Sequence, residues 1–216
     1  MKKIYFLVLI AASFNAGAQV TVSIKTGLSL SSDIIPAQNS TSTFQPTSMK
    51  AGFYGGLVIQ VPVAPRFSIV PELLYSQKGY HERSYLVPNA FPPHTNQSYN
   101  LTYSFLDVPV LADLKVSKKT AIQFGPQVSF MLSGKQQLTG PDFFDSFDME
   151  SSPKIIFGLA AGMYTHVWKL VSVSLHYSID LQTHDEDEDI NHNFLLHGFR
   201  NQTLQVGVMY TLAHRK

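Results

Sequence analysis

Eight segments in which apolar and polar residues alternate, joined in turn by long polar stretches and tight turns behind an export signal, predict an all-β fold. The expected architecture is an eight-stranded antiparallel transmembrane β-barrel preceded by a cleavable signal peptide. Composition agrees. Charged residues are 14% of the 216, against roughly 25% in soluble domains. Beyond the first residues, no apolar run approaches the roughly 18 needed for a membrane helix.

Lys2-Lys3, the apolar run Ile4 to Ala12 and the small-residue site Ala16-Gly17-Ala18 read as a signal peptide. This divides the chain into a signal peptide, 1–18, and an outer-membrane β-barrel domain, 19–216. Removing Lys2 and Lys3 from 16 basic residues leaves 14 against 15 acidic ones, a net charge of −1. A near-neutral mature chain gives no support for nucleic-acid binding. The absence of cysteine excludes a disulfide scaffold, thiol chemistry and lipoprotein anchoring, and is compatible with export.

The first strand runs from Val20 to Leu30, with Val22, Ile24, Leu28 and Leu30 opposed to Thr21, Ser23, Lys25, Gly27 and Ser29. A polar loop over 33–48 follows. Ala51 to Val61 sets Phe53, Leu57 and Ile59 against Gly52, Tyr54, Gly56 and Gln60, and the turn 62–66 leads into Phe67 to Tyr80. After a second long loop, 81–98, Tyr99 to Val116 forms the fourth strand. Its apolar phase changes between Phe105 and Leu106, where a bulge is expected. Beyond the basic turn 117–119 comes Ala121 to Leu132, then a third loop, 135–153, both acidic and aromatic. Ile155 to His166 and Val171 to Leu181 pair around Trp168-Lys169. A fourth loop over 183–197 precedes the last strand, Leu204 to Leu212.

Volume decides which face is inside. The interior of an eight-stranded barrel is only just wide enough for side chains, and about five large residues per strand would overfill it. The opposite face, mostly Gly, Ser, Ala, Thr and Gln, fits, so the apolar face meets lipid. Trp168, Tyr164, Phe67 and Tyr210 near the tight turns, and Tyr54, Tyr80, Tyr99 and Tyr103 near the long loops, read as aromatic girdles. The tight turns carry Arg66, Lys118, Lys119 and Lys169, while most carboxylates lie in the long loops. Pro71, Pro109 and Pro126 fall inside strands of a barrel without edges, so each is expected at a bulge or strand end.

Three stretches carry a family resemblance: Phe105-Leu-Asp-Val-Pro-Val-Leu-Ala-Asp-Leu-Lys-Val116, Pro71-Glu-Leu-Leu-Tyr-Ser-Gln-Lys-Gly79 and Gly125-Pro126. They resemble the PorT-like, or porin-family, outer-membrane β-barrel proteins of Bacteroidota-type bacteria. The resemblance implies residence in the cell outer membrane, among outer-membrane lipids and lipopolysaccharide.

Lys25, Glu72, Lys78, Asp107, Asp113, Lys115, His176 and Asp180 all fall on the expected interior face. One reading is an ion path or proton relay; the favoured one is a network of paired charges filling the lumen. Glu72 and Asp107, on adjacent strands, are expected to share a basic partner such as Lys25, Lys78 or Lys115. His176-Tyr-Ser178 resembles the His-x-Ser pair of lipid A deacylases. That chemistry needs the pair on the lipid face, and Leu175, Tyr177 and Ile179 occupy that face here. Asp185-Glu-Asp-Glu-Asp189 with Asn191 has calcium-ligand residue types, but Ile190 and Leu196 stand where an EF-hand needs Gly and Glu. Phe143, Phe144 and Phe147 are expected to fold over the barrel mouth or to contact a partner.

The expected function is that of a monomeric barrel with a structural or interaction role and no catalytic site. It needs no cofactor or metal, and its external loops are available to an envelope protein partner. A small porin or transport channel is the alternative, and a lipid A acyl hydrolase the third reading.

Overall fold

The computed structural model describes residues 20–34, 48–84, 97–139, 144–149, 155–181 and 200–214. The signal peptide and the acidic run 185–189 lie outside them. Among the described residues there are nine strands: β1 Thr21–Ile34, β2 Ser48–Ala64, β3 Phe67–Ser84, β4 Gln97–Lys115, β5 Thr120–Thr139, β6 Phe144–Met149, β7 Ile155–His166, β8 Val171–Asp180 and β9 Arg200–His214. Eight of them close a barrel of antiparallel neighbours, in the order β1-β2-β3-β4-β5-β7-β8-β9. The seam is the β1–β9 pairing, from Thr21↔His214 to Ile34↔Arg200. Closure leaves the eight wall strands with no unpaired edge facing lipid.

The ninth strand corrects the third expected loop. β5 continues to Thr139, and β6 pairs with its extension from Gly134↔Met149 to Thr139↔Phe144. Phe144 and Phe147 are therefore strand residues; Phe143 lies outside the described set. β3, β4 and β5 have 18, 19 and 20 residues, whereas β7 and β8 have 12 and 10. A tilted membrane strand needs about 9–11. One side of the wall thus rises beyond the bilayer on the long-loop side.

The expected bulge lies on the neighbouring strand. Between β4 and β5 the register steps from Ser104↔Ser133 to Phe105↔Met131, which makes Leu132 of β5 the extra residue. β4 itself keeps one phase: Leu101, Phe105, Asp107, Leu111 and Asp113 are all buried inside. Phe105 therefore belongs to the lumen.

The prolines occupy neither bulges nor strand ends. β3–β4 pairing runs without a register change, but lapses between Pro71↔Val110 and Leu74↔Asp107. β4–β5 pairing lapses likewise between Pro109↔Gln127 and Ala112↔Phe124, level with Pro126. The three prolines cluster on three adjacent strands, and their missing N–H groups coincide with these two neighbouring lapses, one on either side of β4. Gly125 makes this possible, because a Cβ there would collide with the carbonyl oxygen of Val110.

Large apolar side chains face outward on every wall strand, among them Ile24, Leu57, Leu73, Val110, Phe124, Phe157, Leu175 and Val206. A belt of that extent is far beyond the exposed patches of soluble monomers and marks a lipid-facing wall. Trp168 is 70% exposed, and Tyr210 is exposed as well, as girdle residues should be. Phe67 and Tyr103 are half-buried, and the side chain of Tyr99 lies outside the described set. Tyr54, Tyr80 and Tyr164 depart from expectation: all three are buried in the interior.

Candidate functional site in the barrel lumen

Inward-facing residues fall into successive layers because each strand contributes every second side chain. From the tight turns upward, β3 contributes Ser68, Val70, Glu72, Leu74, Ser76 and Lys78, and β4 contributes Asp113, Leu111, Asp107 and Phe105; all are buried.

The lowest layer is centred on Asp113. Gln60 Nε2 donates to Asp113 Oδ2 at 3.1 Å, and Tyr164 Oη donates to the same oxygen at 3.4 Å. Gln60 also donates to Tyr164 Oη at 3.2 Å. Lys115, two residues further down β4, is exposed on the rim. It keeps the inward phase of Asp113 but stands at the open mouth, where the strand ends and its charge still acts on Asp113.

Immediately above, Val58, Val70, Leu111, Ala121, Ala160, Tyr164 and Met209 form one apolar cluster. It draws on β2, β3, β4, β5, β7 and β9, and so spans the lumen. An interior read from sequence as small and polar thus contains an apolar layer. Along β3 and β4 this layer lies between the Asp113 layer and the ion pairs.

In the middle layer, Lys25 Nζ donates to Glu72 Oε2 at 2.9 Å and to Oε1 at 3.1 Å. It also lies 3.1 Å from His176 Nδ1. The ammonium is a donor only, so Nδ1 accepts and the proton of the neutral ring sits on Nε2. One lysine on β1 thereby ties β3 to β8, two strands away in either direction. The upper pair is separate. Lys78 Nζ donates to Asp107 Oδ1 at 3.0 Å, Ser76 Oγ donates to Oδ2 at 2.6 Å, and the ammonium sits 4.8 Å from the centre of the Phe105 ring. Asp180 is buried close enough to Lys78 and Asp107 to interact with both charges. Glu72 and Asp107 therefore do not share a base; each has its own lysine. Neutralising a charge by a close partner is what makes burial in a shielded interior tolerable.

Glycines set the fit. Tyr54, Gly27 and Gly207 stand in one row across β2, β1 and β9. The Tyr54 ring lies over both glycines: a Cβ on Gly27 would be 2.9 Å from Cε1, and one on Gly207 would overlap Oη. His176 lies over Gly162 in the same way. Near the long loops β3 steps inward across β2. Ser29 Oγ donates to Gln77 O at 2.9 Å, and Ser31 Oγ donates to Gly79 O at 2.8 Å while accepting from Gly79 N at 2.9 Å. Lys50 passes over Gly79 and donates to Asn100 Oδ1 at 2.7 Å, Leu101 O at 2.9 Å and Thr102 Oγ1. These contacts between β1 and β3, and between β2 and β4, narrow the upper lumen.

His176 and Ser178 both point inward and are buried. The Asp113 layer, the Lys25 layer and the packing of Tyr54 on Gly207 hold together through residues two or more strands apart, which no local pattern displays. A signal did exist in the glycines at 27, 162 and 207, whose partner strands present an aromatic ring. Among the described residues, no group of three or more His, Cys, Asp or Glu is placed to hold a metal ion.

A family model described as "Outer membrane protein beta-barrel domain" matches residues 11–184. Among solved structures, the chain is similar to a major outer membrane protein from Thermus thermophilus, at 12% identity and a TM-score of 0.52, over 89% of this chain and 99% of that one. It is also similar to Neisserial surface protein A, at 13% identity and a TM-score of 0.46, over 91% and 99% of the two chains. The attachment invasion locus protein Ail of Yersinia pestis aligns at 11% identity and a TM-score of 0.47, over 90% and 99%. No curated protein matches the chain in sequence.

Proposed function

The chain belongs to the outer membrane protein beta-barrel domain family and lies in the cell outer membrane, and from that premise we propose that it is a closed, non-conducting barrel. Its work is structural or interaction-based, carried out by the loops at the cell surface. The observation that carries this reading is the apolar layer of Val58, Val70, Leu111, Ala121, Ala160, Tyr164 and Met209, backed on its upper side by two paired lysines that are at most 2% exposed. An ion crossing such a layer would shed its hydration shell against seven side chains of which only Tyr164 carries a polar atom. In this reading the barrel is a monomer that needs no cofactor, with lipopolysaccharide and an envelope protein as the contacts of its loops. The stretches around Pro71, Asp107-Val-Pro109 and Gly125-Pro126 support a place in the PorT-like branch of the family. Liposomes carrying the protein are expected to swell in small sugars no faster than protein-free liposomes; faster swelling overturns the reading in favour of a porin.

No catalytic role is proposed. His176 is turned from lipid, its Nδ1 engaged by Lys25, and Ser178 faces the same interior. A nucleophile pair must reach its substrate. Lipid A mass spectra with and without the protein are expected to be the same, and loss of an acyl chain would contradict this.

A further inference from the structure

The tight-turn rim has a charge pattern that the closed barrel does not explain. Arg66, Lys115, Lys118, Lys119 and Lys169 are all exposed there. The three tight turns, 62–67, 116–120 and 167–170, contain no Asp or Glu. Asp113, buried inside, interacts with Lys115, and the Glu72 carboxylate is bonded to Lys25 in the lumen, which leaves Arg66, Lys118, Lys119 and Lys169 as the surface charge of the rim. Apolar side chains alternate with these bases along the same turns: Val63, Val116, Trp168 and Leu170 are each 46% exposed or more.

Bases in contact with water beside apolar groups without protein cover describe a surface at the boundary between hydrocarbon and headgroups. Hydrogen bonds hold the turns open in this form. Ser117 Oγ accepts from Lys119 N at 3.2 Å and from Thr120 N at 3.0 Å, and Trp168 N donates to Val171 O at 3.1 Å. Short turns face the periplasm in barrels of this kind, so the rim meets the phospholipid leaflet and not the lipopolysaccharide one.

We propose that this rim is a binding surface for anionic phospholipid headgroups, which gather around Arg66, Lys118, Lys119 and Lys169 in the inner leaflet of the outer membrane. The bases supply the attraction, and Trp168 with its apolar neighbours fixes their depth. The effect is local: it selects the lipids next to the protein and orients the barrel across an asymmetric membrane.

Trp168 is the only tryptophan in the chain, so its fluorescence reports on this rim alone. The mature protein is folded into phosphatidylcholine vesicles containing a fixed fraction of brominated phosphatidylglycerol or, separately, brominated phosphatidylcholine. In about 0.02 M salt, quenching should correspond to a roughly threefold enrichment of the anionic lipid at the rim. In about 0.5 M salt, where screening acts within a few ångströms, the preference should fall to about one. The Arg66→Gln/Lys118→Gln/Lys119→Gln/Lys169→Gln variant should show no preference at low salt. Equal quenching by the two lipids in the unmodified protein overturns the proposal. So does a preference that persists in the fourfold variant, whatever its response to salt. If that variant does not fold, Lys169→Gln, beside the fluorophore, should lower the enrichment at least in part; an unchanged enrichment overturns the proposal.

Discussion

Replacing Lys25 by Met removes the one cation that holds Glu72 and His176 together. Glu72 is 4% exposed, and both its oxygens accept from Lys25 Nζ, so the carboxylate would be left without a base inside the barrel. Breaking a buried pair by removing one member typically costs about 3–5 kcal/mol, since it leaves an uncompensated charge. The methionine keeps most of the alkyl volume, so little of that cost comes from a cavity. Removing both charges is different: Lys25→Met with Glu72→Gln should recover about 2 kcal/mol of the loss, a coupling expected only of residues in contact. With a urea dependence of about 2 kcal/mol per molar, the Lys25→Met midpoint falls by roughly 2 M. The assay is urea unfolding of protein folded into lipid vesicles, followed by Trp168 fluorescence. A Lys25→Met midpoint within about 0.3 M of the unmodified protein, or a double variant no more stable than the single, would refute the layered lumen.

Other substitutions separate the faces of the wall. Val206→Arg, on the belt near the middle of β9, should cost about 2–4 kcal/mol by the same unfolding assay if that face meets lipid; a neutral result would contradict the assignment. Lys78→Met should destabilise by about 3 kcal/mol or more, while Lys115→Gln on the exposed rim should stay within about 0.5 kcal/mol. Equal effects of the two would return Lys115 to the lumen. Gly207→Ala puts a methyl group against Tyr54 and the carbonyl of Thr26. A loss of about 1–3 kcal/mol is expected, and no loss would show that the ring does not lie over that glycine.

What was legible in the sequence followed the range of the interaction. Alternation is a property of successive residues, so the eight wall strands, the lipid-facing side chains and the inward direction of Lys25, Glu72, Lys78, Asp107, Asp113, His176 and Asp180 could be read directly. Partners could not. Glu72 and Asp107 are on neighbouring strands, but barrel curvature brings Lys25 to the first from two strands away, while Lys78 reaches the second diagonally from the strand beside it. The tyrosines were misplaced for a related reason. An aromatic near a strand end suggests a girdle, yet Tyr54 lies inside because Gly27 and Gly207, distant in sequence, clear a trough for its ring. Phe105 breaks the apolar alternation of β4 in the sequence because it is a large apolar residue on the lumen side, in phase with Asp107. It fits beside Lys78, whose charge it faces. β6 was hidden by composition: Asp142, Asp145 and Asp148 read as loop, but the strand is held by pairing to the extension of β5.

The central claim is a lumen closed by one apolar layer between two polar ones. Planar-bilayer recording of the purified, folded protein tests it most directly. A lumen closed in this way gives no stable single-channel steps above the bare bilayer at any applied voltage the membrane withstands. Reproducible steps of fixed size, scaling with salt concentration, would show a continuous water path past Val70 and Leu111 and would contradict it.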